Sequence, residues 1–252
     1  MGCPSWSGVN GRLRMRMNTT RPLAVLLALA AFAPSLNFSC NAEEDGIALA
    51  IIYDTSGSMK DPVPDKSGVS APKYVIANHA LCAVAHQLQA FATNSASGPP
   101  RKIHTALFVF QGEHAREAIK MGPFDAASLE NFAQHFSNPT GNTPLGNTLT
   151  AAARAVMASP LSRKHILVIT DGINTAGLPP ATVLPALKKQ AEEKGANLAV
   201  HFIAFDVDAK VFSPLKKLGA TVVAAADENQ LNTQLQYILQ RKILLEDEEP
   251  KK

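Results

Sequence analysis

The chain has 252 residues, 46% of them hydrophobic and 18% charged, with 24 basic and 21 acidic side chains. This balance excludes collagen-like and wholly disordered chains, and no internal repeat points to a solenoid. Residues 1–42 carry four arginines (Arg12, Arg14, Arg16 and Arg21) and no acid, so the remainder holds 20 basic against 21 acidic residues, net −1. That near-neutral remainder carries no nucleic-acid signature.

The basic start is followed by the apolar run Leu23–Ala33 and then by small and polar residues. This is the order of a secretory leader. The run is shorter than the ~20 residues a spanning helix needs. Residues 1–42 are therefore expected to be a signal peptide, with cleavage after Ala42 and a start at Met1, Met15 or Met17. A retained leader, or a lipid on Cys40, would instead tie the protein to a membrane. "LNFS" before Cys40 fits lipidation poorly, because the leucine lies one residue too far upstream and Phe38 is bulky. Cleavage would leave Cys82 without an internal disulfide partner. Its apolar helical setting predicts a buried small hydrophobe.

Apolar strands and helices then alternate. "GIALAIIYD" is a continuous apolar strand, as expected when both faces are covered. A Pro-, Gly- and Lys-rich loop precedes a long helix over 72–93 with a helical apolar period. "IHTALFVFQ" is the next strand, and "HAREAIKMGPF" a short edge strand ended by Pro123. "DAASLENFAQHF" is a capped helix. The loop "SNPTGNTPLGN" leads into the helix "TLTAAARAVMAS", with Pro144 suited to its first turn. "HILVITDG" is a third apolar strand. A loop with Pro179 and Pro180, the helix "VLPALKKQAEEKG", the strand "NLAVHFIAF", the short helix "VFSPLKKLG", the strand "ATVVAA" and a closing helix complete the order. The tail 246–252 is expected to be solvated. The pattern predicts an α/β fold, a doubly wound and mostly parallel sheet flanked by helices. Ligands bind such sheets at the carboxyl ends of the strands.

Three stretches fall there. Asp54 ends the first strand and leads into Thr55, Ser56, Gly57 and Ser58. Thr143 precedes a helix, and Asp171 ends "VITDG". An Asp followed by Thr or Ser and Gly also occurs in aspartic peptidases. That chemistry needs two aspartates sharing a proton, and there is no second copy in the chain. Hydroxyls and carboxylates together suit a hard divalent cation, which takes oxygen ligands. If hydroxyls make the direct contacts and the aspartates act through water, the ion keeps most of its charge and an open position for another carboxylate.

"DTSGS", "TPLG" and "TDG", in this order and on matching elements, resemble the metal-ion-dependent adhesion site of von Willebrand factor A-type domains. The resemblance covers about Gly46 to Leu245, with the domain expected over 46–245. Together with the leader, it leads to the expectation of an exported bacterial protein, periplasmic or extracellular, that is not an enzyme. Ser56, Ser58 and Thr143 would be direct or switchable ligands of Mg²⁺ or Mn²⁺. Asp54 and Asp171 would act mainly through water. The partner would be a protein offering a carboxylate.

Two other functions use the same residues. A metal-dependent envelope hydrolase would need a base or histidine ligands beside the site, and no histidine falls in the three stretches. His79 and His86 lie seven residues apart on one helix and may share a face; His104, His165 and His201 sit near strand starts. A structural subunit of an envelope complex would use the metal as a staple. Asp206 and Asp208, after a strand, are candidates for the rim, for a second ion, or for caps.

Overall fold

In β1 (Glu44–Tyr53) every residue from Gly46 onward is buried, because the strand is covered on both faces. Alternate side chains enter two separate cores. Ile47, Leu49, Ile51 and Tyr53 join one, and Ala48, Ala50 and Ile52 join the other. The computed structural model describes Gly2 and residues 43–93 and 101–245. The expected leader, its cleavage and lipidation sites and the tail 246–252 lie outside the described residues. Among those described, no helix is long and apolar enough to cross a membrane.

The remaining elements follow the predicted alternation. They are a small ribbon of β2 (Pro62–Pro64) and β3 (Ser70–Pro72), then α1 (Lys73–Thr93), β4 (Ile103–Gln111) and β5 (His114–Pro123). Next come α2 (Ala126–His135), α3 (Leu145–Ala158), β6 (Leu161–Thr170), α4 (Pro180–Glu193) and β7 (Leu198–Phe205). The short helix α5 (Ser213–Lys217), β8 (Thr221–Ala225) and α6 (Glu228–Ile238) close the order, and α6 widens into a π-type turn over Leu239–Leu244. Among the described residues the main sheet runs β5-β4-β1-β6-β7-β8. Only β5 is antiparallel. One core lies under α1, α2 and α6, and the other under α3 and α4.

Chain order places β4 and β5 on one side of β1 and β6 to β8 on the other. The β1–β6 boundary is therefore the switch point, where an open parallel sheet leaves a crevice. Asp54 and Asp171 leave the two strands that flank it.

Several local expectations are corrected. β5 is a full ten-residue strand paired along β4, not a short one. The loop after Ser58 contains the β2–β3 ribbon. α4 begins at Pro180, where a proline suits the first helical position, and α3 begins just after Pro144. Cys82 is partly rather than fully buried, and burial raises its thiol pKa. His79 and His86 do not pair with each other: His79 meets Glu228 at 3.3 Å and His86 meets Glu130 at 3.2 Å.

His165 on β6 and His201 on β7 stack inside the sheet face, with ring centroids 5.7 Å apart and Nδ1 of His165 3.4 Å from Nε2 of His201. Burial pushes His165 down to about 3, aided by His201 and Arg163; burial and Lys242 push His201 down to about 4. Both are neutral in the fold, whereas the unfolded chain takes up protons near the ordinary value of about 6.5. The stability from this neutral pair is present above that value and is lost as pH falls toward the folded values. Urea unfolding should show a loss of roughly 1–2 kcal/mol per histidine between about pH 7 and about pH 5. A His165→Leu/His201→Leu variant should show a shallower dependence; an unchanged slope would contradict this assignment.

Candidate metal centre

The site starts from a carboxylate with nowhere else to go. Asp54 continues the β1–β6 ladder by donating its N–H to the Ile169 carbonyl at 3.1 Å, which leaves its side chain fully buried. A buried carboxylate needs hydrogen-bond donors. Ser56 N–H donates to Oδ1 at 2.8 Å and Thr170 Oγ1 donates to Oδ2 at 2.5 Å. Burial and then the charge of Asp171 push the Asp54 pKa up to about 6, against the pull of those hydrogen bonds.

The hydroxyl-rich turn is folded back by its own backbone. Met59 N–H bonds to Ser56 O and Asp61 N–H to Ser58 O, forming a 3₁₀ turn over Gly57–Lys60. Met59 is fully buried and pins the turn to the core. Ser56 and Ser58 thereby bring their hydroxyls to 3.2 Å from each other. Ser58 Oγ also donates to Asp171 Oδ1 at 2.9 Å. Ser56 is buried while Ser58 is exposed, so the group opens to solvent at Ser58.

Thr143 arrives on a separate loop. Thr140 N–H donates to Thr55 O at 2.8 Å and Gly57 N–H to Gly141 O at 3.2 Å, tying this loop to the serine turn. Gly141 turns at φ +86°, a left-handed conformation that glycine adopts without a Cβ clash. Thr143 N–H donates to Thr175 Oγ1 at 2.8 Å, and its carbonyl accepts from Thr175 N–H at 3.0 Å. The Thr143 hydroxyl faces Gly172, where a Cβ would lie 3.8 Å away. The start of α3 presses on the loop after Asp171 so closely that a Cβ on Gly146 would lie 1.9 Å from the Leu178 carbonyl oxygen.

All five sequence-derived residues thus gather at the carboxyl end of the sheet. Two carboxylates and three hydroxyls make an all-oxygen set that fits a hard divalent cation. Among the described residues, no group of three His, Cys, Asp or Glu side chains is placed to hold a metal by those types alone. Among the described residues, His104 bonds to Ser159, His135 to the Asn131 carbonyl, and His165 faces His201, all away from the hydroxyl set.

Sequence reasoning missed Thr170 and Lys73. Thr170 is buried beneath Asp54, in a strand otherwise read only as apolar. Lys73 is buried at the start of α1, and its Nζ donates to Asp171 Oδ2 at 3.1 Å and lies 2.9 Å from Asp206 Oδ2. Burial works against its charge, but the hydrogen bond to Asp206 and the charge of Asp171 outweigh it and raise its pKa. A visible signal was the base itself, set at a helix N-terminus where acids are favoured. Of the two late aspartates, Asp206 lines the rim through Lys73, and Asp208 caps the turn Ala209–Phe212 by accepting from Lys210 N–H at 2.9 Å.

Residues 49–237 match the sequence family of the von Willebrand factor type A domain. No curated protein sequence matches this one. Among solved structures, the PilB minor pilin from Streptococcus sanguinis is similar with a TM-score of 0.57 and 17% identity, over 77% of this chain and 60% of that one. This chain therefore spans about three fifths of that pilin's length. Proximal thread matrix protein 1 from the mussel byssus, solved with a zinc-occupied MIDAS motif, is similar at a TM-score of 0.55 and 15% identity, over 78% of this chain and 48% of that one. The vWF domain of the type V pili tip protein Mfa5 from Porphyromonas gingivalis gives a TM-score of 0.53 and 12% identity, over 78% and 94% of the two chains. At these identities the likeness is one of fold.

The Thr170 hydroxyl is the Asp54 contact most easily tested. Thr170→Val keeps the shape and strands one carboxylate oxygen, so chemical denaturation should show a loss of roughly 1–3 kcal/mol. Thr170→Ser, which keeps the donor, should lose much less.

Proposed function

This chain belongs to the von Willebrand factor type A family, and on that premise we propose that it binds Mg²⁺ or Mn²⁺ and, through the ion, a carboxylate of a protein partner. Ser56, Ser58 and Thr143 are the proposed direct or switchable ligands. Asp54 and Asp171 act behind them, mainly through water. The observation that carries this reading is the chain of contacts from the serine turn to Asp171, with Ser58 Oγ 2.9 Å from Asp171 Oδ1 and 3.2 Å from Ser56 Oγ.

The residues divide the work by burial. Asp54 is spent on Ser56 N–H and Thr170, so it orients the serine turn and supplies negative charge from beneath. Its full burial makes it a poor direct competitor for a partner. Ser58 stands at the solvent side, where an incoming group arrives first. A bound divalent ion would supply an electrophilic centre for the partner's carboxylate. Ile173 and Leu178, 56% and 57% exposed in the loop after Asp171, offer apolar surface beside that approach.

We propose that the protein is not an enzyme: the carboxylates beside the hydroxyl set are already engaged, Asp54 by Ser56 and Thr170 and Asp171 by Ser58 and Lys73, which suits holding the site rather than taking a proton. Export completes the proposal: a bacterial protein with its leader in residues 1–42, a domain over 46–245 and a periplasmic or extracellular site. The pilus neighbours support that setting by fold alone.

Calorimetric titration with Mg²⁺ and with Mn²⁺ tests the site. Ser56→Ala/Ser58→Ala should weaken binding by more than about tenfold; equal affinity in both proteins removes the metal claim. Pull-down from the native envelope should recover a protein partner that is lost on adding chelator. Chelator-sensitive turnover that disappears in Asp54→Ala would instead support a hydrolase.

A further inference from the structure

The ammonium of Lys73 is a cation built into the candidate metal site. It belongs to α1, but it lies against carboxylates that leave the ends of β6 and β7: Asp171 Oδ2 at 3.1 Å and Asp206 Oδ2 at 2.9 Å. Lys73 is 5% exposed. Its backbone is fixed as well, since Lys73 N–H donates to Asp61 O at 2.9 Å, just after the serine turn. The helix N-terminus opposes a positive charge, so the carboxylates are what hold it there.

Asp171 is divided between two partners. One oxygen accepts from Ser58, and the other accepts from Lys73. Asp206 is held in place independently of the lysine. It has φ +52°, the one non-glycine residue in the left-handed region among those described, and its N–H donates to Ala225 O at 2.7 Å. This backbone setting aims a partly exposed carboxylate back toward the site.

We propose that Lys73 is an internal counter-cation that sets how tightly the site binds a divalent ion, with Asp206 as the residue that holds it. The proposal rests on the metal reading above. Asp54, Asp171 and Asp206 carry three negative charges when ionised, and Lys73 offsets one of them. In the metal-free protein the ammonium relieves repulsion between buried carboxylates and keeps Asp171 turned toward Ser58. Toward an incoming ion the same charge is repulsive, and burial of the ammonium leaves it weakly screened. Lys73 therefore stabilises the empty site and weakens the loaded one. Affinity becomes a balance between the two cations rather than a property of the oxygen ligands alone.

The proposal predicts changes of opposite sign, which a purely structural role would not produce. Lys73→Met removes the charge and keeps the length. It should lower the melting temperature without metal, yet tighten Mn²⁺ binding by about tenfold or more in calorimetry. It should also enlarge the rise in melting temperature that Mn²⁺ causes. Asp206→Asn removes a negative charge and should weaken Mn²⁺ binding by roughly tenfold. Lys73→Arg keeps the charge and should stay near wild type. Lys73→Met binding Mn²⁺ as wild type does, or more weakly, would overturn the proposal. If Lys73→Met does not fold, unchanged affinity in Asp206→Asn would overturn it equally. Wild type and Ser56→Ala/Ser58→Ala run alongside: binding in the first and not the second keeps the metal reading when the lysine proposal fails. No Mn²⁺ binding by the wild type would overturn both.

Discussion

A carboxylate at complete burial must be met by donors, and Asp54 meets that requirement at the end of the central strand. Its backbone N–H closes the last rung of the β1–β6 ladder, so the side chain cannot swing out to water. Two donors then follow from necessity. One is the N–H of Ser56, which fixes how the chain turns after β1; the other is the hydroxyl of Thr170, which ties that turn to the end of β6. Once the turn is set, Ser56 and Ser58 face the Asp171 side of the crevice. The hydroxyl set is thus a consequence of satisfying one buried anion.

Charge is sorted along the strands. At the end where β1 starts, the acidic triplet Glu43, Glu44 and Asp45 meets Lys164, Lys102 and Arg163, each at the foot of a neighbouring strand. The Lys102–Glu44 and Arg163–Asp45 contacts are open to solvent on at least one side, where ion pairs contribute little individually, whereas Lys164 is buried and reaches solvent through Glu43. At the carboxyl end the balance reverses. Asp171 and Asp206 flank a buried ammonium, Asp54 lies fully buried against Ser56 and Thr170, and the loss of water at these buried groups makes each charge count for more. The proposed cation site lies at this second end.

The apolar strands and the short oxygen-bearing stretches were legible because they are local. "IALAIIY" and "HILVIT" are buried on both faces and so are apolar along most of their length, and their pattern survives in the chain order. Asp54, Ser56 and Ser58 lie within five residues and read as one motif. Thr143 and Asp171 were found because each sits at a helix entrance or strand end. The edge strand β5 was harder, since its mostly exposed residues lack an apolar run and its length is set by pairing with β4. For His79 and His86, helical spacing gives only that both lie on one helix; that each is drawn to a different glutamate on another helix is set by packing.

Lys73 marks the boundary between the two kinds of knowledge. In the chain it is one lysine after a proline, 98 residues from Asp171. Nothing within a helical turn of it announces a carboxylate. The alternation of strands and helices and the candidate oxygen-bearing residues are written in short segments, because backbone geometry and burial act on neighbours; the strand order that sets the switch point beside β1 is not. The ion pairs Lys73–Asp171 and Lys73–Asp206, the hydroxyl of Thr170 under Asp54 and the stacking of His165 on His201 arise only when strands distant in sequence become adjacent. Their energies depend on burial that no single segment can create, and folding of the whole sheet supplies it.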